Sequence, residues 1–136
     1  DTGRPVAPPV AFLWGGEPTV TLPDDRPAGE GGRAQELALA LGVALEGWPA
    51  IGALCAGTDG TDGPTEAAGG WADGTTADRA RSLGESPEEV LAAHDSGRLL
   101  DRLGDRLITG PTGTNVMDMA LVLVEGSHGF VSPSGE

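Results

Sequence analysis

Residues 50–65 read AIGALCAGTDGTDGPT, and this stretch sets the organisation of the chain. Its first seven residues form a continuous apolar run between Pro49 and Gly57. A short apolar run bounded in this way is typical of a central β-strand that is covered on both faces. The glycine-rich half predicts a loop at the carboxyl end of that strand, the edge where ligands bind in open α/β sheets.

The sequence upstream of this stretch predicts a β-hairpin and a buried helix. Residues 6–13 and 19–22 are rich in β-forming residues and are separated by the turn sequence WGGEP, which favours a hairpin. In residues 31–46, leucines recur every four residues at 37, 41 and 45, with Leu39 and Val43 on the opposite side. This spacing predicts a helix that is mostly buried.

Three short helices and two further strands are predicted downstream. Capping sequences open helices at Thr75 and Ser86, and residues 96–103 form a third helix. The two strands are residues 106–109 and 120–124. Together these elements predict an α/β fold, a single layered domain with a mixed β-sheet flanked by helices.

Length and charge narrow the class of protein. The 136 residues fit one domain, which we place at residues 10–136, after a proline-rich linker or expression boundary at residues 1–9. The net charge is −13, and all eight basic residues are arginine. Because such an acidic chain is repelled by nucleic acid and by anionic membranes, we expect neither as a partner.

The cysteine content and the hydropathy pattern predict a cytoplasmic protein. The single cysteine, Cys55, lies inside the apolar run, so we expect it to be a core residue and not a reactive one. No apolar stretch approaches the ~18 residues that are needed to span a bilayer. A reducing cytoplasm suits an unpaired cysteine.

The first of three glycine-rich loops, residues 29–32, precedes the buried helix and leads into Arg33. Backbone N–H groups at a helix start and a guanidinium group both favour a carboxylate or phosphate, and Gly31 and Gly32 would let it approach. The alternative is a tight turn in which Arg33 pairs with a nearby carboxylate. A formal match to the dinucleotide fingerprint is rejected, because a long polar loop, and not a strand, comes before it.

The second loop, residues 57–65, offers Thr58, Asp59 and Asp62 as candidate substrate-binding residues. Asp59 or Asp62 could hold Mg²⁺ through water, since this ion uses few protein carboxylates. The spacing does not fit an EF-hand calcium site. The alternative is a set of Asx-turns in which the side chains cap their own backbone.

The third loop, residues 109–115, offers Thr112, Thr114 and Asn115 beside two glycines. Such a loop can form a backbone nest with hydroxyl donors for an oxyanion. It is not a Walker P-loop, because that motif needs a lysine and the chain contains none.

The two histidines lack a second histidine or cysteine at ligand spacing, so a structural zinc site is not expected. His94 follows a predicted helix, and we expect it to interact with the negative end of that helix. Otherwise we expect no functional role for either histidine.

The loops and the helix together resemble a known domain. The stretches GGRAQELALA at 31–40, AGTDGTDGPT at 56–65 and TGPTGTNV at 109–116, with AAG at 67–69 and DGTT at 73–76, closely resemble the MOFRL domain in order and spacing. This is the C-terminal domain of class II glycerate kinases. The resemblance spans about residues 10–124.

The resemblance implies ATP-dependent phosphorylation of D-glycerate at its 2-hydroxyl to give 2-phosphoglycerate, with ATP and Mg²⁺ as cofactors. The active site would lie in a cleft shared with an N-terminal nucleotide-binding domain, which would supply the missing lysine, so the isolated domain is expected to be inactive. Arg33 matches a family arginine that binds the substrate carboxylate or the transferring phosphoryl group.

The remaining site residues are carried over in the same way. The resemblance places the second and third loops in the wall of the cleft, with the following matching residues: Thr58, Asp59, Asp62, Thr112, Thr114 and Asn115. Three positions depart from the family pattern: Ala34 and His94 stand where asparagine is usual, and Gly97 where an aromatic residue is usual. The loss of an amide at Ala34 bears on activity, and the other two look peripheral.

Two alternatives remain open from the sequence. One is a stand-alone module that binds a small anion without catalysis. The other is part of a hydroxypyruvate reductase, against which the lack of a convincing dinucleotide loop argues.

Overall fold

Five strands and four helices lie within residues 6–22, 24–25 and 27–126, the ranges that the computed structural model of the protein describes. In chain order these are β1 (Val10–Gly16), α1 (Arg33–Ala44), β2 (Ile51–Gly57), β3 (Gly69–Asp73), α2 (Thr76–Ser82), α3 (Pro87–Ala92), α4 (Ser96–Leu103), β4 (Arg106–Leu107) and β5 (Asp118–Val124).

The strands form one sheet in the order β1-β5-β2-β3-β4, with β2 at its centre. The predicted α/β layered domain and the central strand are therefore confirmed. The pairing differs from the predicted mixed sheet, because every pair of described strands is antiparallel. β5 lies between β1 and β2 and runs antiparallel to both.

The predicted hairpin is wrong, and a strand that was not predicted takes part in the sheet. Gly15 and Gly16 continue β1 and pair with β5 instead of turning, and residues 19–22 form no strand. The strand that was not predicted is β3, which begins with two glycines. At Gly69 a side chain would meet the Cys55 carbonyl oxygen at 1.9 Å, so the glycine reflects close strand pairing and not a turn.

Helix α1 lies directly on the sheet, and the other helices pack against α1. One core cluster joins α1 to the sheet through Ala34, Ala38, Cys55 and Leu100, and a second joins the helices through Leu39, Ala80, Val90 and Leu99. The predictions of a mostly buried helix and of a core cysteine are confirmed.

The other face of the sheet is not covered by the described helices, so the expectation that β2 is covered on both faces is wrong. By the pairing register, Leu13, Met119 and Leu123 share this face, and all three are exposed. Alternation along antiparallel strands allows one face to pack while the other stays open.

The predicted helix ends are confirmed in part. Ser86 Oγ accepts a hydrogen bond from Glu89 N at 3.3 Å and caps α3, and α4 ends at Gly104, whose φ is 76°. Thr75 does not cap α2 with its side chain. Among the described helices, none has the length and apolar character that a membrane crossing requires.

Candidate functional site

The ends of three strands and the start of α1 meet at one edge of the sheet. β1 ends and β5 begins where Gly16 pairs with Asp118, and β2 ends where Gly57 pairs with the same residue. A cavity of about 770 Å³ opens at this edge. The polar side chains in its wall include Glu17, Arg33, Glu36, Asp59, His94, Asn115 and Asp118.

Arg33, the first residue of α1, is held by two carboxylates. Its Nε and Nη2 donate to the two oxygens of Asp118 at 2.5 and 3.2 Å, and its Nη1 lies 2.8 Å from Glu17 Oε1. The hydrogen bond that Arg33 donates to Asp118 raises the pKa of the guanidinium further above its ordinary value. The arginine is therefore a fixed positive charge, paired with carboxylates as the alternative interpretation of this loop expects.

The two carboxylates differ in how firmly they are placed. Asp118 is nearly buried and makes a two-pronged contact, a geometry that fixes the plane of the guanidinium. Glu17 is 54% exposed and makes a single contact, and exposed ion pairs of this kind contribute little free energy. An incoming anion can therefore exchange with Glu17 while Asp118 keeps Arg33 in position.

Asp62 occupies the start of α1, where the sequence predicts a bound carboxylate or phosphate. Its side chain is buried, with Oδ1 accepting from Ala34 N at 2.9 Å and Oδ2 accepting from Gln35 N at 2.8 Å. Gln35 Nε2 also donates to Oδ2 at 3.0 Å. Two of the backbone donors expected to face an anion at this helix start are thus used internally, which leaves the Arg33 side chain as a charged donor for an anion in the cavity.

The glycines of the first two loops allow these loops to touch. A side chain at Gly32 would lie 2.4 Å from the carboxyl carbon of Asp62. Gly63 has a φ of 61°, and a side chain there would lie 2.7 Å from the Gly31 carbonyl oxygen. The glycines therefore serve close backbone packing, which brings Asp62 under α1.

Asp59 lies in the same loop but reaches the cavity. Its Oδ1 accepts from Thr61 N at 3.0 Å and from Thr61 Oγ1 at 3.1 Å, which is the Asx-turn of the alternative interpretation. These bonds lower the pKa of the Asp59 carboxyl below its ordinary value. Its Oδ2 accepts from Asn115 Nδ2 at 3.3 Å, which connects the second loop to the third.

Threonine hydroxyls tie the second and third loops together. Thr112 Oγ1 donates to the Thr58 carbonyl at 2.5 Å, and Thr58 Oγ1 donates to the Met117 carbonyl at 2.7 Å. Neither of these threonines, nor Thr114, belongs to the cavity wall. Of the residues predicted from sequence, the cavity brings together Gly31, Gly32, Arg33, Asp59, Asp62 and Asn115.

Four charged or titratable residues in the wall were not among the predicted site residues: Glu17, Glu36, His94 and Asp118. Glu36 carries a signal in the sequence, because a residue three positions after Arg33 lies on the same side of a helix. Asp118 lies two residues before a predicted strand, yet nothing in its neighbourhood points to Arg33. His94 does not use its ring at the helix end as expected, since Nδ1 lies 2.8 Å from Glu36 Oε1.

The cavity offers few ligands for a metal ion. Within the described ranges, no three His, Cys, Asp or Glu side chains come together as a metal centre. Asp62 uses both carboxylate oxygens on α1, whereas Asp59 keeps Oδ2 at the cavity with a single amide contact. Asp59 therefore fits a water-mediated magnesium contact better than Asp62.

Comparison with known proteins places these loops in a family. A protein-family profile described as MOFRL family matches residues 10–118 of the sequence. The chain is 49% identical over 121 residues to a D-glycerate 2-kinase of Thermotoga maritima and 43% identical over 129 residues to a glycerate 2-kinase of Pyrococcus horikoshii. These matches cover 89% and 95% of this chain but only 28% and 29% of the relatives.

Solved structures agree with the sequence matches. The crystal structure of the Thermotoga maritima glycerate kinase superposes with a TM-score of 0.81 over 89% of this chain and 28% of that one. A Pyrococcus horikoshii protein superposes with a TM-score of 0.85 at 43% identity, over 93% of this chain and 28% of that one. The chain thus spans less than a third of the length of these relatives, and it belongs to the MOFRL family.

Proposed function

We propose that this chain is the C-terminal domain of an ATP-dependent glycerate 2-kinase. In this proposal it lines the cleft between two domains, where D-glycerate is phosphorylated at its 2-hydroxyl to give 2-phosphoglycerate. The observation that carries the proposal is the placement of Arg33, a permanent cation fixed by Asp118 at the wall of a cavity. The glycerate kinases named above give the reaction class.

Arg33 is the proposed catalytic residue. Phosphoryl transfer depends mainly on positioning and on stabilising negative charge, and a planar guanidinium suits a carboxylate or a phosphoryl group. The substrate anion replaces Glu17 at Nη1, while Asp118 holds the other edge of the guanidinium. Removing such a preorganised donor costs about 10²–10³ in rate in other enzymes.

The remaining cavity residues bind and position in this proposal. Gly31, Gly32 and Asn115 line the substrate side, and Asp59 contacts Mg²⁺ through water. When bound, Mg²⁺ neutralises charge on the phosphates. We assign Asp62 to positioning, since its carboxylate holds the start of α1. Thr58, Thr112 and Thr114 maintain the loops from outside the cavity wall.

An N-terminal domain of the same protein is the proposed partner, and it would bind ATP and supply a lysine. Two observations support it: the chain contains no lysine, and it spans about 28% of the length of its relatives. A small hydroxy acid is the proposed substrate. The reducing cytoplasm remains the predicted location, in agreement with a buried, unpaired Cys55.

A hydroxypyruvate reductase is the second candidate, because one relative from Agrobacterium vitis that is 44% identical over 124 residues carries that name. A dinucleotide-binding loop places the pyrophosphate on the start of a helix. Here the Asp62 carboxylate takes the N–H groups of Ala34 and Gln35 at that position. This internal occupant favours the kinase.

A coupled ADP-release assay on the full-length protein, with D-glycerate, ATP and Mg²⁺, tests the proposal. We expect Arg33→Ala to lower kcat/KM about 10²–10³-fold. Arg102→Ala is the matched control, because Arg102 pairs with Glu85 away from the cavity. No turnover by the wild-type protein, together with reduction of hydroxypyruvate by NADH or NADPH, would replace the kinase with the reductase.

A further inference from the structure

His94 occupies a backbone position that does not favour histidine. It follows α3 with a φ of 52°, in the left-handed region. Its N–H donates to the Leu91 carbonyl, and the next N–H, of Asp95, donates to the Val90 carbonyl, both at 3.0 Å. These two bonds form a Schellman ending, whose left-handed residue is usually glycine or asparagine. The ending of helix α3 alone therefore does not account for a histidine at this position.

The His94 ring is turned onto α1 and into the cavity wall. Its Nδ1 lies 2.8 Å from Glu36 Oε1, and the two side chains are only 19% and 16% exposed. Both residues line the cavity that contains Arg33. Since Glu36 is three residues after Arg33, the arginine and the carboxylate that contacts the histidine lie on the same side of α1.

The contact with Glu36 fixes the chemistry of the free ring nitrogen. An ionised carboxylate only accepts hydrogen bonds, so Nδ1 carries the hydrogen and the neutral ring has its lone pair on Nε2. Within the described part of the chain, Nε2 has no hydrogen-bond partner, and it is not among the buried polar atoms that lack one. An acceptor with a set tautomer thus belongs to a residue of the cavity wall.

We infer that His94 is a further substrate-contacting residue, whose Nε2 accepts a hydrogen bond from a hydroxyl group of the bound hydroxy acid. Glu36 is the positioning residue that orients the ring. This inference rests on the proposed function and names a feature of the substrate that the site recognises. Arg33 pairs with the negative charge of the acid, and His94 accepts a hydrogen bond from one of its hydroxyl groups. A site built to bind a hydroxyl discriminates strongly against an analogue that lacks it.

The purely structural alternative is that the His94–Glu36 pair only joins the end of α3 to α1. The variant His94→Gly separates the two roles, because glycine tolerates the left-handed backbone and carries no side-chain acceptor, whereas asparagine would keep one. A structural role predicts a lower Tm and unchanged substrate preference. The inferred role predicts an unchanged or higher Tm and impaired handling of the hydroxy acid.

The experiment compares the full-length wild-type protein with His94→Gly, using D-glycerate and D-lactate, which lacks the 3-hydroxyl. We expect kcat/KM for D-glycerate to fall about 10–100-fold. A fall for both acids identifies the reacting 2-hydroxyl as the group that His94 contacts, and a lost preference for D-glycerate identifies the 3-hydroxyl. Glu36→Ala should give a smaller loss, which Glu36→Gln restores because its amide oxygen still accepts from Nδ1.

Kinetics of His94→Gly within twofold of wild type for both acids would overturn the inference and leave the kinase intact. If the wild-type protein phosphorylates neither acid, the proposed function fails separately. Calorimetric titration with D-glycerate then decides the role of His94. Weaker binding by His94→Gly supports the contact, whereas equal heats, or no heat from either protein, overturn it.

Discussion

Asp62 holds Gln35 by its backbone and by its side chain at once. Oδ2 of Asp62 accepts from the Gln35 backbone N–H at 2.8 Å and from Nε2 at 3.0 Å, while Oδ1 accepts from Ala34 N at 2.9 Å. All three donors belong to the first turn of α1, and the carboxylate lies in the loop that follows β2. The start of the helix that carries Arg33 is therefore set by a residue from a different loop.

Removing this carboxylate should destabilise the fold. Asp62→Ala leaves buried N–H donors without a partner, so we expect the free energy of unfolding to fall by about 2–4 kcal/mol. The matched control is Asp59→Ala in the same loop, whose carboxylate faces the cavity and whose loss should shift the midpoint little. Urea denaturation followed by circular dichroism measures both. Equal midpoints for the two variants would contradict this assignment.

In the proposed function an incoming anion displaces Glu17 from Arg33, so removal of the Glu17 charge should improve substrate binding. We expect Glu17→Gln to lower KM for D-glycerate about two- to fivefold with little change in kcat, because the exposed pair is weak. The difference should shrink as salt is raised, since salt screens exposed charges. Glu46→Gln serves as the control, because it removes the same charge from an exposed pair with Arg81. A rise in KM for Glu17→Gln would show that Glu17 itself supports binding.

The close approach of the first two loops makes Gly32 intolerant of a side chain. A methyl group there would lie 2.4 Å from the Asp62 side chain and backbone, so Gly32→Ala should cost about 1–3 kcal/mol in stability. Gly15→Ala is the control, because nothing lies within 4 Å of a side chain at that position. Thermal denaturation of the two variants measures the difference, and a similar Tm for both would mean that the loops separate readily.

Cys55 should be almost inert towards thiol reagents in the folded protein. Burial, followed by the nearby carboxylates of Asp62 and Asp118, raises the pKa of the thiol to about 12. At pH 8 the thiolate fraction is then on the order of 10³ times lower than for a free cysteine. Ellman's reagent should react slowly in buffer and fast in urea. Rapid reaction in buffer would indicate local opening of β2.

The same shift predicts how stability responds to alkali. The pKa of the thiol is about 8.5 in an unfolded chain and is raised in the fold, so the unfolded state gives up its proton first. The stabilising contribution is complete below pH 8.5 and is lost as the pH rises towards 12. Cys55→Ala should remove this part of the alkaline transition, which urea midpoints at pH 8 and pH 10 can detect.

The sequence predicts those parts of the fold whose signals are local. The bounds of β2 and α4 were predicted to within one residue. Both depend on nearby residues: β2 is an apolar run between loops, and α4 ends at Gly104. β3 was missed, since its first glycine, Gly69, is required by the close approach of a β2 carbonyl and not by a turn. The hairpin failed because β1 pairs with β5, more than a hundred positions along the chain.

The candidate site follows the same rule. Arg33 was found from its loop, but its partner Asp118 is 85 residues away, and the pair of Glu36 and His94 is separated by 58. Lone carboxylates give no sign of which cation they will meet. Asp62 was assigned to a ligand because its loop follows a strand, and only the packing of that loop beneath α1 shows that its carboxylate is already used.

The position of β5 between β1 and β2 also governs when the site can form during synthesis. β1, α1 and β2 leave the ribosome well before β5, yet β1 pairs only with β5 in the described sheet. Until β5 is released, β1 lacks its neighbour and Arg33 lacks the Asp118 carboxylate that fixes it. Because domains fold as units when their long-range strands become available, a nascent chain carries Arg33 without the contacts that orient it until β5 emerges.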